Sequence, residues 1–260
     1  MIFYYSCTGN TAWAAQRIGE ALGEALITIS ETTIDQTFTL KPGETIGFCF
    51  PIHAWRPPMP VREFARKCRI SNAEGHYCWM LCTAGDDIGE AVDIMQRDLS
   101  AAHLQAVSVF SLLMPNTYVG LPLMDVDKDE VVARKLAQSE KRLDGYIRHI
   151  LNHDCGLSML DLSRWPRINS RLLGHLFVKH LISDKSFTVD SDACLRCGRC
   201  EQVCPESNIQ LDDDRHPVWL HNGRCLTCFA CYHHCPAKAI NWGKATKGKG
   251  QYYYNRKQKQ

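Results

Sequence analysis

Eight of the chain's 14 cysteines fall between Cys194 and Cys235. Thiolates are metal ligands, so this crowding points to metal or cluster chemistry, with reduced thiols rather than disulfides. The segment CLRCGRCEQVCPESNI (194–209) returns 31 residues later as CLTCFACYHHCPAKAI (225–240), matched at every Cys, at the Leu, at the Pro and at the closing Ile. Each copy reads C-x2-C-x2-C-x3-C-P. In that pattern three closely spaced thiolates wrap one cubane and the fourth reaches across to the other. It assigns Cys194, Cys197, Cys200 and Cys235 to one 4Fe–4S cluster, and Cys225, Cys228, Cys231 and Cys204 to a second. Pro205 and Pro236 turn the chain away after each crossing ligand. Zinc also suits four thiolates, but zinc modules pair two CxxC units across a longer loop.

A second locus lies at the amino end. Ser6-Cys7-Thr8-Gly9-Asn10-Thr11 follows an apolar run and opens a helical pattern. Backbone N–H groups at a helix start bind phosphate, hydroxyls add donors, and Gly9 permits a tight turn. The loop has no Lys, which excludes a Walker A motif, and no G-x-G-x-x-G. What remains is a site for one terminal monophosphate. Cys7 sits where a helix amino end lowers a thiol's pKa, yet its plainer role is to offer its N–H. The other scattered cysteines (Cys49, Cys68, Cys78, Cys82 and Cys155) read as core fillers.

The elements that must position these residues alternate. Strand-like runs occur at Ile2–Tyr5, Ala25–Ile29, Thr45–Phe50, Tyr77–Cys82 and Val107–Met114. Helical periodicity starts at Thr11, covers Pro60–Cys68, and runs from Ile88 to Leu99 with Asp86 or Asp87 as its cap. Asp127 with Glu130 reads as a capping box for a long helix ending near Leu151. This order predicts an α/β, doubly wound, five-stranded parallel sheet with ligands at the carboxyl ends of its strands. The expected division is an α/β unit at 1–151 carrying the phosphate-type loop, a helical linker at 152–186, a small α+β two-cluster unit at 187–243 and a basic tail at 244–260. In the linker, Leu172, Leu173, Leu176, Phe177 and Leu181 form a stripe expected to pack between the units.

Charge is unevenly spread. Residues 1–150 hold 14 basic and 18 acidic side chains, whereas the last twenty residues hold six basic and no acidic ones. A mildly acidic body argues against nucleic-acid binding, and the tail is expected to be solvated or folded back. No apolar run approaches the roughly 18 residues of a membrane span, and MIFYYSCTGNT lacks the marks of a signal peptide. The expected compartment is the cytoplasm.

The amino-terminal loop resembles the S/T-x-T-G-x-T phosphate loop of flavodoxins. Together with the cysteine repeats, the chain looks like the EFR1-type ferredoxins, in which a flavodoxin-like domain is fused to a bacterial two-cluster ferredoxin. That resemblance implies FMN, its phosphate at Ser6, Cys7, Thr8, Gly9, Asn10 and Thr11. It implies ring contacts from Pro51, Ile52, His53, Ala54 and Trp55 on one side, and from Thr83, Ala84, Gly85 and Asp86 on the other. The implied activity is an electron relay between two clusters and FMN, working with an unidentified redox partner protein. Two alternatives stand: a flavin-dependent oxidoreductase acting on a small acceptor, and a sensor whose clusters are structural and which holds no flavin.

Overall fold

The computed structural model describes residues 1–255, so the last five residues of the expected basic tail lie outside the described residues. Chain order runs β1 (Ile2–Tyr4), α1 (Asn10–Leu22), β2 (Leu26–Thr28), β3 (Thr37–Phe38), β4 (Ile46–Pro51), α2 (Met59–Lys67), β5 (Arg69–Ile70) and β6 (Cys78–Ala84). It continues with α3 (Ala91–Ser100), β7 (Ser108–Leu113), α4 (Asp129–Leu151) and β8 (Ser158–Met159). The main sheet is parallel, in the order β2-β1-β4-β6-β7-β8. Its first five members follow the flavodoxin-like 2-1-3-4-5 order, which reverses direction at β1. β3 and β5 form a separate parallel pair.

The central strands are apolar without alternation because helices cover both faces. Every residue of β6, from Cys78 to Ala84, is buried. Phe3, Phe48 and Phe64 pack on one face, while Ile18, Trp79, Leu143 and Ile147 pack on the other. α1 ends on Gly23, whose φ of 67° allows a left-handed cap returning its N–H to the Gly19 carbonyl.

Three expectations change. The sheet has six strands rather than five, because Ser158–Met159 adds to β7 beyond residue 151. α3 is preceded by Glu90 rather than Asp86 or Asp87. α4 is preceded by Lys128 without a side-chain cap, because Asp127 instead accepts the Asn116 N–H at 2.9 Å and the Lys135 ammonium at 2.7 Å.

The remaining chain comprises α5 (Pro166–Ile168), a π turn (Asn169–Leu173), α6 (Gly174–His180), β9 (Phe187–Val189), α7 (Arg199–Gln202), β10 (Ile209–Leu211), β11 (Pro217–Trp219), α8 (Ala230–His234) and β12 (Ile240–Trp242). β10 pairs with β11 and β12 with β9, both antiparallel. A third core of Phe187, Ile209, Trp219, Phe229, Tyr232 and Ile240 holds these pieces together. The cores interlock: Leu226 belongs to the main sheet's core, and Val119 to the third.

Candidate functional site

The turns after β1, β4, β6 and β7 meet at the carboxyl edge of the sheet around a cavity of about 230 Å³. Of the fifteen residues expected to hold FMN, all but Gly9 line it. Gly9 has φ +93°, and an added Cβ would lie 3.0 Å from the Tyr254 Cβ, so both conformation and packing require glycine. Ser6 Oγ accepts the Ala12 N–H at 3.2 Å, and Thr11 Oγ1 meets Thr83 Oγ1 at 2.8 Å, tying the first loop to the third. The Asn10 amide donates to the Pro115 carbonyl at 3.1 Å and accepts the Tyr252 hydroxyl at 3.1 Å. Its side chain is thus committed to the protein.

The turn after β4 is bent by left-handed Ala54 and Trp55, and His53 exchanges backbone hydrogen bonds with Arg56. The Trp55 indole donates to Asp87 at 3.0 Å, which binds that carboxylate to the wall. Burial lowers the His53 pKa to about 4, so its imidazole is neutral at neutral pH. Lys135 donates to the Gly85 carbonyl at 2.7 Å and fixes the turn after β6.

The eight repeat cysteines divide into two sets of four. Cys194, Cys197, Cys200 and Cys235 line one small cavity, and Cys204, Cys225, Cys228 and Cys231 line another. The backbone repeats with the sequence. Arg196 and Thr227, Gly198 and Phe229, and Ser207 and Lys238 are pairs 31 residues apart, and all six have positive φ. These turns aim N–H groups at sulfur. Arg196 reaches Cys194 and Thr227 reaches Cys225, each at 3.4 Å; Asn208 reaches Cys204 and Ala239 reaches Cys235, each at 3.3 Å. Such donors stabilise charge on ligand sulfur, so the chemistry of both sets suits a thiolate-held cluster. Burial pushes the Cys200 thiol up to about 11 and Cys225 up to about 12, so a bound cation must displace their protons.

Cys228 lines both the second cysteine cavity and the large cavity. Cys7 lines the large cavity with it, and the nearness of the two thiols, with burial, raises the Cys7 pKa well above that of an ordinary thiol and lowers that of Cys228. The direction is opposite to the lowering expected of a helix start: the neighbouring Cys228 and burial both push the Cys7 thiol up. Alongside, the Tyr5 hydroxyl donates to buried Glu206 at 2.7 Å, and Arg224 joins Glu206 at 3.0 Å to Glu31 at 2.8 Å.

Residues 186–236 match the family model of the 4Fe–4S dicluster domain. The dicluster segment is 34% identical over 55 residues to a ferredoxin of Pyrobaculum islandicum, a match covering 20% of this chain and 49% of that one. It is 33% identical over 52 residues to pyruvate synthase subunit PorD of Methanocaldococcus jannaschii, covering 20% and 59%. The chain thus spans about half the length of the curated relatives it matches. Among solved structures, a flavodoxin of Streptococcus pneumoniae aligns at 14% identity over 56% of this chain and 97% of that one, with a TM-score of 0.31. The Flv1 flavodiiron core from Synechocystis aligns at 16% identity over 57% and 36%, with a TM-score of 0.32. A flavodoxin-like parallel sheet is here joined to a ferredoxin-type dicluster segment with small antiparallel sheets.

The tail supplies residues absent from the expected site. Its described part folds back: the Tyr254 N–H donates to the Thr8 carbonyl at 2.8 Å, and its ring stacks on Trp13 at 5.4 Å. Tyr253 stacks on His234 at 4.1 Å, and Gln251 donates to the Tyr232 and Cys235 carbonyls. His233 accepts the Tyr252 N–H at Nδ1, and its Nε2 donates to the Thr117 carbonyl at 2.7 Å. The strap thereby joins the dicluster segment to the phosphate-type loop. The run of three tyrosines was the available sequence signal for it. The turn after β7, with Asn116 and Tyr118, and the apolar lining from Phe177, Ile182 and Leu226 were also missed. Strand order alone implicates the first of these, whereas the others follow from the tertiary arrangement.

Proposed function

We propose that this chain carries electrons between two 4Fe–4S clusters and one FMN, exchanging them with a separate redox partner protein. Clusters supply one-electron transfer and a flavin supplies one- or two-electron transfer. The observation that carries this reading is Cys228, whose side chain belongs to the wall of both cavities. In this reading Cys194, Cys197, Cys200 and Cys235 hold the outer cluster, and Cys204, Cys225, Cys228 and Cys231 the inner one. Cys197 and its neighbours Leu195 and Arg196 are exposed, which makes the outer set the side for partner contact. The main-chain N–H groups at the head of α1, with the hydroxyls of Ser6 and Thr8, would hold the phosphate without a cation. Ile52, Tyr118, Phe177 and Leu226 keep water from the cavity, while Trp55 and Asp87 fix the turn beside it.

Anaerobic purification followed by visible spectroscopy and measurement of iron, sulfide and flavin tests the reading. About eight irons and one flavin per chain are expected. Iron without flavin, even after added FMN, would return the chain to the sensor alternative.

A further inference from the structure

The stripe expected to pack between the two units does so only in part. On the inner side of Pro166–His180, the Ser170 hydroxyl donates to the Trp55 carbonyl at 2.9 Å and accepts the Glu90 N–H at 2.8 Å. Arg56 donates to the Ser170 carbonyl, and Arg171 grips Glu90 with two hydrogen bonds of 2.7 and 2.8 Å. Gly174 sits so close that a Cβ would press on the Ala54 carbonyl, and Phe177 meets Tyr118 edge-on at 5.2 Å. The mounting is firm, and it rests on Ser170, Arg171, Gly174 and Phe177 rather than on the leucines.

The large apolar side chains consequently turn outward. Trp165 and Leu172 are each 58% exposed and Leu176 46%; Ile168 and Leu173 are exposed as well. Positions 165, 168, 172 and 176 recur at helical spacing and form one stripe. Beside it stand exposed Arg164, Arg167 and Lys179, with Arg164 lying over the Trp165 ring at 5.5 Å. Residues 162–180 contain four Lys/Arg, two His and no acidic side chain.

We propose that this face docks on an anionic bilayer surface. The helical segment would lie flat, with Trp165, Leu172 and Leu176 in the headgroup boundary and the cations level with lipid phosphates. Apolar residues flanked by exposed Arg164, Arg167 and Lys179 suit such a surface, where arginine and lysine stems run along the apolar layer and their charged ends reach phosphate. The carboxylate paired there, Glu90, is buried beneath Arg171. Tryptophan prefers this boundary because its ring is apolar and its N–H is polar. A second copy fits poorly, because an isologous contact would set the same cations against one another. Among the described residues no helix is long and apolar enough to cross a membrane, so the contact is superficial. The proposal stands whether or not the chain transfers electrons.

The test uses the full chain, prepared anaerobically, sedimented with phosphatidylcholine vesicles and with vesicles of phosphatidylcholine mixed with phosphatidylglycerol. Binding is expected on the mixed vesicles and should fall about fivefold for each of Arg164→Gln and Arg167→Gln, and also with added salt. The double variant L172E/L176E should weaken binding at least about tenfold. Both leucines are exposed, so iron content and far-UV circular dichroism should stay unchanged. Tryptophan emission should shift blue on the mixed vesicles, and Trp165→Phe should remove that shift. Absence of binding to the mixed vesicles, or binding indifferent to L172E/L176E, would overturn the proposal. So would a vesicle-free dimer that the double variant dissociates, since that would assign the face to a second copy.

Discussion

The thiol of Cys7, in the loop that opens α1, lines the same cavity as Cys228, in the second copy of the cysteine repeat, and each shifts the titration of the other. Cys7 also stands 4.0 Å from His53 Nε2, on the turn after β4. One side chain therefore lies beside a proposed cluster ligand and a proposed ring-flanking residue, within the loop proposed to hold phosphate. A thiol that keeps its proton beside a ligand sulfur favours the more negative, reduced cluster. Cys7→Ala should lower the inner cluster's potential by about 40 mV, the equivalent of about 1 kcal/mol for one electron. Cys7→Ser, which keeps a donor, should shift it less, and the outer cluster should not move. A redox titration followed by electron paramagnetic resonance reads both.

The strap makes the phosphate-type loop depend on the carboxy-terminal unit. The Tyr254 ring stacks on Trp13 of α1 and so seats its main-chain N–H on the Thr8 carbonyl, and the Tyr252 hydroxyl holds Asn10. Tyr254→Ala should weaken FMN binding about tenfold by fluorescence titration, because the loop must then be ordered at the cofactor's expense. Iron content should be unaltered, since neither tyrosine is a proposed cluster ligand. Unchanged affinity would make the strap a passive covering.

Glu206 joins the two units. It is buried, and burial raises its pKa even though Tyr5 and Arg224 both donate to it. Glu206→Ala leaves the Arg224 charge and the Tyr5 hydroxyl without their acceptor and should cost about 3 kcal/mol in denaturant unfolding. Glu206→Gln should cost less, because it preserves an acceptor.

His53 gives the protein a defined acid sensitivity. Its folded pKa is lowered by burial from 6.5 to about 4. Between those values the unfolded chain binds the proton and the folded chain does not, so stability falls as pH drops from about 6.5 towards about 4. His53→Gln should flatten that part of the stability profile measured by chemical denaturation. An equal slope in both proteins would show that the imidazole is hydrated.

The sequence made much of this legible for physical reasons. A parallel sheet covered on both faces leaves unbroken apolar runs, so β4 and β6 stand out, and the cysteine repeat preserves its spacing because sulfur geometry demands it. The caps of α3 and α4 differ from expectation because Asp87 closes the turn before α3 by accepting the Gly89 N–H and the Trp55 indole, and Asp127 is taken by Asn116 and Lys135. The stripe at Leu172 and Leu176 looked like an interface because periodicity reports amphipathicity and not which face finds a partner. Cys7 offered no signal for Cys228, since 221 residues separate them and only the tertiary arrangement joins their sulfurs.

The most direct test of the central claim is anaerobic stopped-flow reduction of the cluster- and flavin-loaded chain with less than one electron per molecule, followed at cluster and flavin wavelengths. Transfer across the wall that Cys228 shares predicts one exponential exchange between the two signals, with a rate independent of protein concentration. A rate rising in proportion to concentration, or a flavin signal unmoved while the clusters are reduced, would contradict the relay.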